Sequence, residues 1–74
     1  MRITSGALKH GVAESEVRAV VAAPLRRVAQ GDRTLLIGVN AHRDLLEVVL
    51  DADGTAVHAM RLRPKHYEHL RPPD

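Results

Sequence analysis

The spacing of apolar residues changes once along the chain, near residue 25. Before this point, the segment AESEVRAVVAAP (residues 13–24) places Val17, Val20 and Val21 at positions i, i+3 and i+4. That spacing puts the three valines on one face of an α-helix. Pro24 cannot continue a helix and therefore predicts its end.

A shorter helix is predicted ahead of this one. The segment SGALKHG (residues 5–11) has room for one or two helical turns. Thr4 or Ser5 can cap the first turn with a side-chain oxygen. Gly11 predicts the end of the helix, because glycine readily takes the left-handed conformation found there.

From Leu25 onward, apolar residues alternate with polar ones, which is typical of β-strands. Turn-forming sequences separate the strands: GD, NAHRD and DADG. The predicted strands are LRRVAQ (25–30), RTLLIGVN (33–40), LLEVVLD (45–51) and AVHAMRLR (56–63). The segment PKHYEHL (64–70) then predicts a short helix with Pro64 at its first position.

This order of elements predicts an α+β fold. Short turns join antiparallel neighbours, so the four consecutive strands form a meander sheet. The N-terminal helices pack on the sheet, and a short helix ends the chain. We expect one domain over residues 1–74, because a chain of this length supports a single small core.

Alternation within the strands also predicts which residues share a face of the sheet. One face is expected beneath the helices and the other is expected to be open. The predicted inner set is Val28, Leu35, Ile37, Val39, Leu46, Val48 and Leu50, continued by His58, Met60 and Leu62. The predicted open face carries Glu47, Arg61 and Arg63 beside Leu36, Leu45, Val49, Val57 and Ala59.

Composition and charge narrow the class of protein. The chain has no cysteine, which excludes disulfides and thiolate metal sites. No stretch approaches the ~18 apolar residues of a membrane span, and the N-terminus lacks the apolar core of a signal peptide. We therefore expect a soluble cytoplasmic protein. The formal charge is +2, and residues 58–71 hold four Lys or Arg against one acid, Glu68, so the basic C-terminal end is the candidate surface for an anionic partner such as RNA.

The same region contains side chains suited to metal-independent RNA cleavage. That reaction uses the 2′-hydroxyl as nucleophile and requires a base, an acid and a cation for the developing charge. His66 or His69 is a candidate acid or base because histidine titrates near neutrality, and Glu47 is a second candidate base. Arg61 and Arg63 are the candidate cations, and Tyr67 can stack a base or donate a proton. No cofactor or metal is predicted.

Further RNA contacts and several structural alternatives remain open. In the structural interpretation, Tyr67 and Leu70 at i, i+3 dock the last helix on the core, and His58 is a hydrogen-bonded histidine at the edge of the core. His66 and His69 share a metal-binding spacing but lack a third ligand. The basic residues are then solvated surface. The additional predicted RNA contacts are Lys9, His10, Arg27, Lys65 and His69.

Several segments occur in an order that resembles a known family. They are KHGV (9–12), DRTLLIG (32–38), LLEVV (45–49) and the basic ending 58–67. In this order they resemble the BrnT-type small toxins of bacterial type II toxin–antitoxin systems, which belong to the RelE-like superfamily. The resemblance covers almost the whole chain. It implies a RelE-like fold, a toxin that cleaves RNA, and a cognate antitoxin as partner. Independently, the small core and the apolar residues predicted on the open face favour a complex with an antitoxin or, failing that, a homodimer.

The chain departs from the family at one motif. BrnT-like toxins usually carry Ser-Ala-Arg late in the last strand, where this chain has His58, Ala59 and Met60. Met60 thus replaces the family arginine, with Arg61 and Arg63 close by. The alternative prediction is a catalytically inactive module of the same fold that binds RNA or protein. If the chain is a toxin, its open sheet face and C-terminal helix are expected to contact RNA, and the antitoxin is expected to cover that surface.

Overall fold

The computed structural model describes residues 1–72, so Pro73 and Asp74, the last residues of the predicted domain, lie outside the described residues. Its four strands form one sheet in which they are neighbours in chain order, and each neighbouring pair is antiparallel. The predicted α+β fold is confirmed, and the final helix is a 3₁₀ helix. The elements are α1 (Ser5–Leu8), α2 (Glu14–Ala22), β1 (Arg26–Gln30), β2 (Arg33–Val39), β3 (Leu45–Leu50), β4 (Ala56–Arg61) and the 3₁₀ helix (Pro64–Leu70).

Different residues start the two N-terminal helices. The Thr4 side chain accepts a hydrogen bond from the Ala7 N–H at 3.2 Å, which confirms Thr4 as the cap of α1. Ala13 has no side-chain oxygen to cap α2, and instead its own N–H donates to the Glu16 carboxylate at 2.9 Å. Gly11, at φ 82°, turns the chain between the helices. Within the described residues, no helix is long and apolar enough to cross a membrane.

The main core lies between α2 and the sheet. Val17 and Val20 are buried and Val21 is half-buried, as the helical spacing predicted. Gly38 lets α2 approach this closely, because a Cβ at residue 38 would lie 3.0 Å from Val20 Cγ1. The buried residues of this core are Val12, Val17, Val20, Leu36, Leu46, Val48, Ala56 and Ala59.

A second, smaller core covers the opposite face of the sheet. The 3₁₀ helix folds back over this face and places Leu70 against it. Both faces are therefore covered, and the prediction of an open face is wrong. The second core consists of Leu35, Ile37 and Leu62, with Val28, Leu45, Val49 and Leu70 packed around them.

The predicted facing of β2 is wrong by one residue. Leu36 pairs with Val48 on the α2 side, whereas Ile37 pairs with Glu47 on the side of the 3₁₀ helix. The consecutive apolar residues of β2 give no alternation to follow, because both faces of this strand are buried. Val39, expected inside, is 44% exposed.

The predicted facing of β4 is wrong as well. His58 pairs with Val49 on the side of the 3₁₀ helix, and Ala59 pairs with Val48 on the α2 side. Of the apolar residues predicted on the open face, Leu36 and Ala59 are fully buried and the other three are half-buried. These positions therefore do not form the apolar surface that an antitoxin was expected to cover.

Several connections meet at one end of the sheet. Val39 pairs with Leu45 beside the β2–β3 turn, and Leu46 pairs with Arg61 at the end of β4. The 3₁₀ helix begins at the same end, and the α1–α2 loop reaches it from the helix side. This end of the sheet therefore gathers side chains from four separate parts of the chain.

Candidate functional site

The Glu47 carboxylate is fully buried beside the 3₁₀ helix and is surrounded by donors. Its Oε1 accepts the backbone N–H of Arg63 at 2.9 Å. The Arg63 guanidinium donates to Oε2 at 2.6 Å and to both oxygens from Nε at 3.1 Å. His58 Nε2 lies 2.8 Å from Oε2, and His66 Nε2 lies 3.7 Å from it. Both oxygens of the carboxylate are thus occupied.

These contacts keep Glu47 ionised. Burial alone would raise the pKa of Glu47, but the hydrogen bonds from Arg63 and His58 outweigh burial and lower the pKa to about 2. Glu47 in turn raises the pKa of the Arg63 guanidinium. A buried carboxylate with so low a pKa is a weak proton acceptor, so its contacts favour a structural role over the predicted role as general base.

His66 is enclosed next to this carboxylate. It is 9% exposed, and its ring stacks on that of His69 with the centroids 6.0 Å apart. Burial lowers the pKa of His66, although the nearby Glu47 acts in the opposite direction. The ring is therefore neutral near pH 7 and shielded from solvent, and its predicted role as acid or base draws no support from this position.

Arg61 forms a second, exposed ion pair. Its Nη2 lies 3.3 Å from Asp44 Oδ2, with the Arg61 side chain 77% exposed and that of Asp44 33% exposed. Arg61 pairs with Leu46 in the sheet and so lies on the α2 side, whereas Arg63 lies past the end of β4 and turns to Glu47. The prediction that Arg61 and Arg63 point to the same side is wrong, because strand alternation ends before Arg63.

A cleft on the α2 side of the Arg61–Asp44 pair has a volume of about 410 Å³, and we call it the histidine cleft. The α1–α2 loop, the start of α2, the β2–β3 turn and the end of β4 line it. Its two histidines come from different segments, His10 from the α1–α2 loop and His42 from the β2–β3 turn. The polar residues that line it are His10, Glu16, Asn40, His42, Asp44 and Arg61.

A cleft on the other side of the same pair has a volume of about 350 Å³, and we call it the tyrosine cleft. Tyr67 is 53% exposed and lines this cleft, so Leu70 alone of the predicted docking pair packs on the core. The cleft combines two arginines and an aromatic ring with apolar walls. Its lining residues are Arg43, Asp44, Leu45, Arg61, Leu62 and Tyr67.

Sequence reasoning missed Arg43 and His42, which it treated only as parts of a turn. Arg43 adopts φ 66°, a left-handed conformation that costs a non-glycine residue roughly 1–2 kcal/mol. The available signal was the turn sequence NAHRD itself, because this connection between β2 and β3 contains no glycine to adopt a positive φ. An exposed arginine held in a strained conformation beside a cleft is a candidate functional residue.

Asn40 organises the turn that both clefts share. Its Oδ1 accepts the N–H groups of His42 and Asp44, each at 2.9 Å. Its Nδ2 donates to Glu16 Oε2 at 2.8 Å and to Asp44 Oδ2 at 3.2 Å. The hydrogen bond from the Ala13 N–H, followed by that from Asn40, lowers the pKa of Glu16. Asn40 therefore ties the β2–β3 turn to the start of α2.

Four of the five remaining predicted RNA contacts do not line either cleft. Lys9, Arg27 and Lys65 are exposed and His69 is half-buried, and none of the four lines either cleft. His10 does line the histidine cleft. Across residues 1–72, no group of three or more histidines and carboxylates is arranged to hold a metal ion.

Comparisons of the chain with family models, curated proteins and solved structures gave no match.

Proposed function

We propose that this chain binds single-stranded RNA at the tyrosine cleft, as the RNA-directed toxin of a bacterial toxin–antitoxin pair. The observation that carries the RNA binding is one exposed aromatic ring, Tyr67, in the same cleft as Arg43 and Arg61. Unpaired bases stack on exposed aromatic rings, and the planar guanidinium of arginine fits phosphate. The three side chains therefore suit the base and the phosphate of a nucleotide.

The dimensions of the cleft favour one nucleotide of a single strand. Its volume of about 350 Å³ is at the lower end of small-molecule sites, which span roughly 300–1,000 Å³. Leu45 and Leu62 supply apolar surface beneath the base. A base paired within a duplex cannot reach an aromatic ring in this way, so the cleft selects unpaired bases.

The ion pair with Asp44 keeps Arg61 available to phosphate. The Arg61 side chain is 77% exposed and that of Asp44 is 33% exposed, and their oxygen–nitrogen distances of 3.3 and 3.5 Å are long for a charge-assisted hydrogen bond. An exposed pair of this kind contributes little stability. A phosphate can therefore replace Asp44 as the partner of Arg61 at small energetic cost.

The buried Glu47 cluster positions the stacking ring. Arg63 immediately precedes the 3₁₀ helix that carries Tyr67. Glu47 binds both the backbone N–H and the guanidinium of Arg63, which fixes where this helix begins. The cluster thus supports the site from within the fold without contacting RNA.

RNA binding is tested by fluorescence anisotropy with a labelled single-stranded RNA and the matched DNA and RNA duplex. Wild-type protein is expected to bind the single-stranded RNA most tightly. Joint replacement Arg43→Ala and Arg61→Ala should weaken binding and reduce the slope of log K against log salt by about 0.7 for each phosphate that the protein no longer neutralises. Arg33→Ala is the control, because Arg33 is exposed at the opposite end of the sheet. Absence of binding at low salt would overturn the proposal.

The toxin assignment is supported by the resemblance of the ordered segments to BrnT-type toxins. Induced expression in a bacterial host should arrest growth, and co-expression of the neighbouring open reading frame should relieve the arrest. The Arg43→Ala, Arg61→Ala double variant should not arrest growth. Normal growth of cells that accumulate the folded wild-type protein would refute the toxin role and leave the RNA-binding module.

A further inference from the structure

We infer that His10 and His42 act as the general acid–base pair of a ribonuclease site in the histidine cleft. This inference rests on the proposed function, because it requires RNA to be held at Arg61. It places the chemistry on the side of Arg61 opposite to the tyrosine cleft. It also differs from the sequence-based prediction, whose candidates for the proton transfers were Glu47, His66, Tyr67 and His69.

The two clefts share Arg61 and Asp44, so they are neighbouring parts of one continuous surface. An RNA strand whose base stacks on Tyr67 places an adjacent phosphate at Arg61. That phosphate lies at the entrance to the histidine cleft. Arg61, the cation that the cleavage reaction requires, therefore lies in the wall that the two clefts share.

Both histidines are exposed, in contrast to the enclosed His66. His10 follows α1, and His42 lies in the β2–β3 turn, so they approach the cleft from different walls. Two proton-transfer groups must reach opposite sides of one phosphorus, one at the attacking oxygen and one at the leaving oxygen. Residues from two separate loops satisfy this requirement.

Each histidine is held by defined neighbours. The ring of His10 meets that of His58 edge to face, with centroids 5.8 Å apart, and His58 is bonded to the buried Glu47. The backbone of His42 is held by Asn40, which is bonded to Glu16. The buried cluster therefore supports one histidine, and the Asn40 network supports the other.

The proposed step conserves atoms and protons. One histidine takes the proton of the 2′-hydroxyl as its oxygen attacks phosphorus and forms the new P–O bond. The other histidine gives its proton to the 5′-oxygen as the P–O5′ bond breaks, while Arg61 stabilises the charge that develops on the phosphoryl oxygens. The products are a 2′,3′-cyclic phosphate and a 5′-hydroxyl. Exchange with water restores both histidines.

The first experiment measures cleavage of a single-stranded RNA with the intact protein, and identifies the product ends by mass spectrometry. Wild type should release a 2′,3′-cyclic phosphate. His10→Ala and His42→Ala should each lower the rate by about 10²–10⁴-fold while RNA binding is retained. Equal rates in wild type and both variants would overturn the inference. Tight RNA binding without cleavage by wild type would also overturn it and leave the proposed RNA binding intact, whereas absence of RNA binding by wild type would overturn the proposed function.

A second experiment separates the acid from the base. In an RNA whose bridging 5′-oxygen at one linkage is replaced by sulfur, the leaving thiolate needs no proton. One of the two histidine variants should therefore recover most of its rate on this substrate, and the other should stay slow. Recovery of both variants, or of neither, would contradict a divided acid–base pair.

Discussion

Two regions of this protein use the same kinds of side chain in different environments. The buried region joins Glu47 to Arg63 at 2.6 Å, with the Glu47 side chain fully covered. The exposed region joins Asp44 to Arg61 at 3.3 Å, with three quarters of the arginine side chain in solvent. The two arginines are two residues apart in the sequence. The two regions therefore contain the same types of residue, and they differ in how deeply the ion pair is buried.

This difference in burial indicates a different role for each region. In the buried region several donors occupy both oxygens of the Glu47 carboxylate, which holds the start of the 3₁₀ helix. In the exposed region the ion pair is long and its arginine is exposed to solvent, so this arginine can exchange a carboxylate for a phosphate. We conclude that the buried region supports the fold and that the exposed region is the candidate RNA site.

The largest expected effect is that of removing the buried carboxylate. Glu47→Ala removes the partner of Arg63 and should lower the free energy of unfolding by about 3 kcal/mol, the low end for a broken buried pair, because Arg63 keeps some solvent exposure. Asp44→Ala should cost about 1 kcal/mol or less, since its ion pair is exposed. Urea unfolding of the two variants measures both values. Equal decreases would contradict the distinction between the regions.

The pH dependence of stability sharpens the same comparison. The pKa of Glu47 is about 2 in the folded chain, against an ordinary value of 4.5. Folding thus favours the ionised form, and this contribution is fully present above pH 4.5 and is lost as the pH falls toward 2. Wild type should therefore exceed Glu47→Gln in unfolding free energy at pH 6, and the gap should shrink through this window.

Subtraction of the Glu47→Gln curve isolates this effect from other carboxylates. Glu16 also has a pKa lowered by its hydrogen bond with the Ala13 N–H, and it titrates in both proteins. Denaturant titrations at half-unit steps of pH supply the two curves. A gap that stays constant from pH 6 to pH 2.5 would show that Glu47 is not held ionised by its partners.

The local pattern of apolar and polar residues predicted the helices and strands of this fold. It did not predict the environment of the charged side chains. The valines of α2 and the alternation in β3 suffice to place one face of each element in the core. Glu47 occupies a polar position of that alternation, which is usual for an exposed residue. Its burial depends on Arg63, 16 residues later, and on a helix that covers the second face. No local pattern indicates an interaction of that range.

The candidate site shows the same limit of prediction from local sequence. Sequence reasoning found Arg61 and Tyr67 because they stand in a conspicuously basic segment. It missed His42 and Arg43 because a turn sequence predicts only that the chain turns. The direction in which the side chains of the turn point depends on the whole sheet. Asn40, which fixes this turn, likewise acts through hydrogen bonds that only the folded chain forms.

Replacement of the stacking ring should affect RNA binding without affecting the fold. Tyr67→Ala should weaken binding to single-stranded RNA by about 1–3 kcal/mol, because one base can no longer stack on an aromatic ring. Tyr67→Phe is the matched control and should keep most of the affinity. Anisotropy titrations report the affinities, and a thermal melt checks folding. If the alanine variant bound RNA as tightly as wild type, the base would not stack on this residue.

The smallest expected effect on stability comes from Arg43. Arg43→Gly relieves a left-handed arginine but adds chain flexibility, so these opposing terms of about 1 kcal/mol each should leave the unfolding free energy nearly unchanged. RNA binding should weaken, since glycine cannot bind a phosphate through a guanidinium. Urea unfolding and anisotropy on the same sample measure both quantities. Unchanged affinity would remove Arg43 from the site.

Photocrosslinking gives the most direct test of where RNA binds. An RNA containing 5-iodouridine reacts on irradiation with an aromatic side chain that stacks on the modified base, and Tyr67 is the single Phe, Tyr or Trp residue of the chain. Digestion and mass spectrometry of the crosslinked protein then identify the attached peptide. An RNA site in the tyrosine cleft predicts attachment at Tyr67, abolished in Tyr67→Ala. Attachment within residues 29–34, around the β1–β2 turn at the other end of the sheet, would contradict it.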